Sequence, residues 1–308
     1  MPTVSVLILS HNNASSIAEA IAPAVNQTHR PSQVLVIDDS TDDSPRIVGD
    51  FEKSTDGLVK LMRVEPCNVS RARNIALDHA TGEYISFLDA DDIWLPTKLA
   101  KQVAMLEANA DAVGCYALYF DFVKEIDDRQ RHVPRKGADD PDLYHVLFEQ
   151  NLSSSTTLFR RDAMGDLRFD EESTNAEDTI FAAELRLKGR WRLVNEPLVA
   201  KRIHPNQAST SYKHRVHNVE ARLRWMRNNR EVIGHEKADA MIAEQSRGAV
   251  GGLEGLYWTR DIATLRWARP MVEAMCPQQY ADSFISKVTL YPRWVYRVRD
   301  LFSRKRGA

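Results

Sequence analysis

From Thr3 to about Phe122, short β-branched runs alternate with stretches of helical period, and no other feature of the chain restricts its fold as strongly. Strands that alternate with helices lie side by side in a parallel sheet, because each helix supplies the crossover to the next strand. Val4–Ser10, Gln33–Asp39, Val59–Val64 and Tyr84–Asp89 read as strands, and Asp111–Phe122 as a later, longer one. Ala14–Val25, Ser44–Lys53, Ser70–Ala80 and Pro96–Ala108 carry apolar residues near every third or fourth position and read as helices. Ser70 suits an N-cap, and Pro96 the first turn of its helix. Further on, 175–188 reads as a helix, Leu193–Ile203 as a strand, and the charged stretch 125–142 as a surface loop able to close over a site. Beyond Ser211 the pattern is helical and rich in arginine. The expectation is an α/β fold: a Rossmann-like, mostly parallel mixed sheet flanked by helices over residues 1–210, with a helical extension over 211–308.

With 41 basic and 43 acidic residues the net charge is −2, so no global positive field draws the chain to nucleic acid. Cys67, Cys115 and Cys276 are odd in number and lie outside any CxxC spacing, which argues against a disulfide framework or a zinc cluster. Val4 to Leu9 is too short for a signal peptide or a membrane span, and no later run reaches the necessary length. The expected location is cytoplasmic, or peripheral to a membrane.

In open sheets, ligands sit beyond the carboxyl ends of the strands. Three strands bring polar tips to that rim: Ser10-His11-Asn12, Asp38-Asp39-Ser40-Thr41-Asp42-Asp43 and Asp89-Ala90-Asp91-Asp92. Three carboxylates within four residues repel one another unless a hard cation such as Mg2+ or Mn2+ relieves them. A solvated, helix-capping acidic turn is the alternative. Ser40 to Asp43 can cap the next helix without help, which leaves Asp38 and Asp39 for a ribose hydroxyl or a base edge.

In order along the chain, Ser10-His11-Asn12, Val36-Ile37-Asp38-Asp39-Ser40-Thr41-Asp42, Ser70-Arg71-Ala72-Arg73-Asn74 and Gly82-Glu83-Tyr84-Ile85-Ser86-Phe87-Leu88-Asp89-Ala90-Asp91-Asp92 resemble family 2 glycosyltransferases of the GT-A fold. Asn26-Gln27-Thr28, Asn175-Ala176-Glu177-Asp178 and His204-Pro205-Asn206 extend the resemblance over roughly the first 210 residues. It implies a nucleotide-diphosphate sugar donor and a divalent ion, Mg2+ or Mn2+. It also implies that Asp39 holds the nucleotide with Ser10 and Asn12 nearby, and that Asp89 and Asp91 are the acids of the metal motif, Asp91 ahead as the direct ligand. Arg71 or Arg73 would face the diphosphate, aided by the N-terminus of their helix. Asp178 would be the catalytic base, with a first-turn helix acid as the plain alternative. His204 would contact the diphosphate or metal, or would be an ordinary turn histidine. Asn68 stands where the family often has glycine, and asparagine tolerates positive φ there.

The implied reaction is an inverting, metal-dependent, non-processive transfer of sugar to a hydroxyl of a glycan or lipid-linked acceptor in surface polysaccharide biosynthesis. A non-catalytic sugar- or nucleotide-binding scaffold is the alternative. A nucleotidylyltransferase would need a glycine-rich loop after Leu9. A processive synthase would need membrane spans and a glutamine where Ala221 or Ala263 stands. The run 151–161 places hydroxyls before a short apolar strand, which fits an acceptor wall or a plain polar loop. Residues 287–308 contain seven basic residues and one acid, with Trp294, Val295, Val298, Leu301 and Phe302 at helical spacing. That pattern fits contact with an anionic membrane or a helix docked on its own domain.

Overall fold

The computed structural model describes residues 1–124, 126, 138–148, 152–173, 175–204 and 211–290. The chain divides into two compact units, Met1–Pro205 and Asn206–Ala308. The first contains β1 (Val4–Ser10), α1 (Ile17–Val25), β2 (Gln33–Asp38), α2 (Ser44–Ser54), β3 (Val59–Arg63), α3 (Val69–Asp78), β4 (Tyr84–Asp89), β5 (Ile93–Trp94), α4 (Lys98–Glu107) and β6 (Ala112–Phe122). It continues with α5 (Leu143–Phe148), β7 (Thr157–Arg160), α6 (Arg161–Met164), α7 (Glu177–Lys188) and β8 (Arg190–Arg202). Residues 125 and 127–137 of the expected loop 125–142, the start of the run 151–161 and the segment 205–210 after His204 lie outside the described residues.

Among the described residues the strands form one eight-stranded sheet in the order β3-β2-β1-β4-β7-β6-β8-β5. The first four are mutually parallel, as the alternating pattern requires. β7 runs antiparallel to both β4 and β6, and β5 antiparallel to β8, so the sheet is mixed. Val4, Val6, Ile8, Val34, Val36 and Leu88 are fully buried, which is what strands covered on both faces demand.

Register brings the tips together. Ser10 stands beside Asp38, and Leu9 beside Asp89, so β1, β2 and β4 end at one edge. Gly82 permits the approach to β4: a Cβ there would lie 2.5 Å from Ser5 N and 2.8 Å from the Val4 carbonyl carbon.

Three local expectations are corrected. The first helix starts at Ile17 rather than Ala14, because Asn13 and Ala14 give their NH groups to Ser44 Oγ and Asp42 Oδ2 across the rim. The fourth begins at Lys98 rather than Pro96, since Ile93 and Trp94 are drawn into strand pairing with Ala200 and Val199. Asn68, not Ser70, caps α3: its side-chain oxygen accepts from Arg71 N at φ −76°, so no positive φ occurs there. Ser70 is buried and donates to the Ser173 carbonyl instead.

The second unit is helical: α8 (Tyr212–Asn228), α9 (Arg230–Ile233), α10 (His235–Trp258), α11 (Ile262–Met275) and α12 (Pro277–Ala281), then a 3-10 turn at Phe284–Lys287. Val216, Leu223, Met226, Leu253, Leu265 and Val272 are among its buried side chains. Among the described residues no helix is long and apolar enough to cross a membrane.

Candidate active site

The loops after β1 and β2 are stitched together by short polar side chains. Asn12 adopts φ +56° and gives its NH to Ser40 Oγ at 2.7 Å, while its Oδ1 accepts from Thr41 N at 2.9 Å. An asparagine tolerates that left-handed backbone because its side chain bonds locally. Ser10 is buried, with Oγ 3.4 Å from Ser40 Oγ. These residues shape the rim.

Asp38 and Asp39 are separated in role by one residue. Expected at the donor, Asp38 is fully buried instead: Oδ1 accepts from Arg63 Nη1 at 2.7 Å and Ser40 N at 3.1 Å, and Oδ2 from Ser40 Oγ at 2.8 Å. All its strong acceptor positions face protein, so it braces the rim from within. The strand alternation turns Asp39 the other way. Its Oδ1 lies 2.7 Å from His11 Nδ1, and its Oδ2 accepts from Cys67 N at 3.3 Å. A carboxylate has about four lone-pair directions, so acceptor capacity remains.

Asp39 opens on a cavity of about 560 Å3, whose walls include His11, Val64, Pro66, Cys67 and Val69. This volume lies within the usual range for small-molecule sites, roughly 300–1,000 Å3. Burial pushes the Cys67 thiol up, with Asp39 adding to the shift and Arg71 opposing it, so the sulfur stays neutral and forms apolar wall.

The two arginines of α3 also part. Arg71 is exposed on the first turn. Arg73 is buried and does not face outward: Nη1 donates to Glu177 Oε1 at 2.6 Å and Nη2 to Ser154 Oγ at 2.8 Å, with the guanidinium 5.2 Å from the centre of the Phe169 ring. Burial opposes its charge, but Glu177, Asp178 and Asp89 outweigh that and raise its pKa.

Asp89 ends β4, and Ser155 Oγ accepts from its backbone NH at 3.0 Å. Burial pushes the Asp89 carboxyl up, Lys201 and Arg73 pull it down, and Asp91 and Asp178 add to the rise. Asp89 thus sits within electrostatic reach of both other candidate acids. Asp91 is partly open, and its Oδ2 lies 3.1 Å from His204 Nε2, itself partly open. Asp92 is buried and accepts from Arg202 N at 3.1 Å. Burial pushes its carboxyl up to about 7, Lys201 opposing and Asp89 and Asp91 reinforcing. Asp178 stands in the first turn of α7, after Ala176 at φ +55°, and its Oδ1 accepts from Thr179 N at 2.8 Å.

Sequence reasoning missed Lys201 and gave Glu177 no role beyond its place in the motif that carries Asp178. Burial works to depress Lys201, yet Asp92, Asp89, Tyr119 and Asp178 hold it above the ordinary lysine range. A single lysine late in a strand carries no local signal; only the pairing of β8 with β6 and β5 brings it to the acids. Ser154, Ser155 and Thr156 are buried, and Ser154 and Ser155 brace Arg73 and the Asp89 backbone, which fits the polar-loop reading of the run 151–161 better than the acceptor wall.

Among the described residues no group of three or more His, Cys, Asp or Glu forms a ready metal cage. The Asp91–His204 pair, with Asp89 behind it, nonetheless suits a hard divalent ion that takes few protein donors and fills its shell with water and phosphate oxygens.

The sequence profile of Glycosyl transferase family 2 matches residues 5–168. The chain belongs to that family. As a family 2 glycosyltransferase it is an enzyme, and a related one is the Escherichia coli UDP-Glc:alpha-D-GlcNAc-diphosphoundecaprenol beta-1,3-glucosyltransferase WfgD, 37% identical over 108 residues. That match covers 34% of this chain and 42% of WfgD. Among solved structures, S. aureus TarS 1–349 in complex with UDP-GlcNAc aligns with a TM-score of 0.60 at 20% identity, over 80% of this chain and 70% of TarS. The Pyrobaculum calidifontis mannosyltransferase PcManGT, with GDP-Man and Mn2+, aligns with a TM-score of 0.55 at 20% identity, over 90% of this chain and 87% of that one. These likenesses establish the GT-A fold of the chain.

Proposed function

We propose that this glycosyltransferase performs an inverting, metal-dependent transfer of one sugar from a nucleoside diphosphate to a hydroxyl of a glycan or lipid-linked acceptor. The observation that carries this reading is the convergence of Asp39, Asp91 and Asp178 on the loops and helix start that border one sheet edge, each on a different element. Asp39 holds the nucleoside in the cavity it lines, with Ser10 and Asn12 fixing the loop that carries His11. Arg71, exposed on the first turn of α3, meets the diphosphate, where helix NH groups also favour anions. Asp91, with His204 and Asp89, would hold Mg2+ or Mn2+. Bound there, such an ion neutralises charge that develops on the departing diphosphate.

Asp178 takes the proton of the acceptor hydroxyl. A base on the face opposite the leaving group gives direct displacement and inversion at the anomeric carbon. Arg73 and Glu177 keep the first turn of α7 in place while this happens. Lys201 offsets the repulsion among the buried acids, so the cluster persists without collapsing outward.

Residues 1–210 would carry the transfer, and 211–308 the attachment to its site of work. WfgD acts on a diphosphoundecaprenol acceptor by its name, and residues 287–308 are strongly basic. Both support a peripheral position at the cytoplasmic face of a membrane, next to a lipid-linked acceptor. No nucleic acid takes part.

The test is a panel of UDP- and GDP-sugars with Mg2+ or Mn2+, read as nucleoside diphosphate released. Turnover of one donor that stops on chelation, with an inverted anomeric signal in the NMR spectrum of the product, is expected. Absence of both turnover and nucleotide binding across the panel would leave the scaffold reading in its place.

A further inference from the structure

Three aromatic rings gather at the end of α10. Trp258 and Phe284 stack with centroids 5.8 Å apart and planes 8° apart. Tyr257 meets Trp258 edge-on at 5.1 Å and Phe284 at 5.7 Å. Trp258 is 65% exposed and Phe284 48%. The Arg260 guanidinium lies 5.6 Å from the Tyr257 ring centre, and exposed Lys287 closes the 3-10 turn that Phe284 opens.

Stacking recovers only part of the apolar area that two such rings leave in water. A contiguous exposed aromatic surface of this kind marks a docking site rather than scattered surface variation. Tryptophan and phenylalanine bordered by arginine and lysine suit the headgroup layer of a bilayer, where rings enter the acyl boundary and cations stay among phosphates.

The charge of the chain selects the occupant. From Lys287 onward the sequence holds seven basic residues and one acid, beginning three positions after Phe284. An anionic surface is complementary to that run. A second copy of the chain is not, since it carries the same basic run.

We propose that Tyr257, Trp258 and Phe284 form a membrane-docking site that inserts into the headgroup layer of an anionic bilayer, while residues 287–308 supply the longer-range attraction. The proposal rests on the peripheral-membrane reading above and adds a folded, apolar anchor to it.

Flotation of the full chain with vesicles of phosphatidylcholine, alone or mixed with phosphatidylglycerol, tests it. The wild type should float with the mixed vesicles. Trp258→Ser with Phe284→Ser should partition roughly tenfold more weakly or worse, while its thermal melt and donor turnover in solution stay unchanged. Should the double variant melt early, Trp258→Gln alone gives the same reading. Neutralising the tail with Lys287→Gln, Arg293→Gln, Arg297→Gln, Arg299→Gln, Arg304→Gln, Lys305→Gln and Arg306→Gln should abolish the preference for anionic lipid.

Wild-type partitioning by the aromatic variant, together with loss of binding by the neutralised tail, overturns the docking site and leaves the basic-tail reading standing. If the wild type floats with neither vesicle, both fall. Self-association of the wild type without lipid, lost in the aromatic variant, would make a second copy the occupant and also overturn the proposal.

Discussion

Arg73 Nη1 lies 2.6 Å from Glu177 Oε1, so the buried arginine of α3 holds the helix whose second residue is Asp178. Both partners are almost wholly enclosed, and removing one leaves the other as an uncompensated charge. Arg73→Met should therefore cost about 3–5 kcal/mol, read as a lower midpoint in urea. Arg71→Gln, on the exposed side of the same helix, should leave that midpoint unchanged and raise the donor KM. Equal effects of the two on stability would contradict the division of labour.

Asp178→Asn keeps the shape of the first turn of α7 and removes the proton acceptor. Turnover should drop by roughly 10²–10⁴-fold, with nucleoside diphosphate affinity held within about twofold. Isothermal titration beside steady-state rates separates the two. Loss of binding in step with loss of rate would move Asp178 from base to donor site.

Lys98 is fully buried, with Nζ 3.1 Å from Ser86 Oγ and 3.8 Å from the centre of the Trp94 ring. Burial pushes its ammonium down to about 7. Below that pH, folded and unfolded chains both carry the charge, and the fold bears the whole cost of enclosing it. Between 7 and the ordinary lysine range only the unfolded chain retains the proton, so stability rises with pH there. Lys98→Met removes this titration. Its stability relative to the wild type should fall by roughly 2–3 kcal/mol between pH 6 and pH 9. Urea unfolding at the two pH values checks it; parallel curves would show that the lysine does not titrate in this window.

Gly82→Ala puts a methyl group against the backbone of β1, where nothing can rotate aside. The expected cost is about 1–3 kcal/mol, seen as a lower melting temperature with normal nucleotide affinity in the fraction still folded. An unchanged melt would mean that β1 and β4 are further apart than described.

Much of the first unit was legible because its periodicities are physical requirements. β1 to β4 and the helices between them follow from alternation, and the position of Asp39, Asp89 and Asp91 at one sheet edge from polar residues at strand ends. Asp38 was misjudged because sequence shows a carboxylate but not its partner: Arg63 lies 25 positions further on, and only parallel pairing of β2 with β3 joins them. Arg73 was misjudged similarly, since two arginines two residues apart on a helix point to different sides. The two-residue β5 is too short to carry a period, and Lys201 owes its place to β8 pairing alone. The aromatic cluster escaped notice because Tyr257-Trp258 and Phe284 are brought together only by the fold of the second unit.

β7 lies antiparallel between β4 and β6 and, among the described residues, is the strand that joins the four parallel ones to β6, β8 and β5. The loops proposed to contact the nucleoside hang from one half of the sheet, while the strands that deliver Lys201 and lead to His204 belong to the other. Because β5 to β8 all follow β4 in the chain, a splice between Asp89 and Ile93 would exchange one half as a block, and hybrids between family members cut there should inherit their choice of base from the N-terminal parent alone.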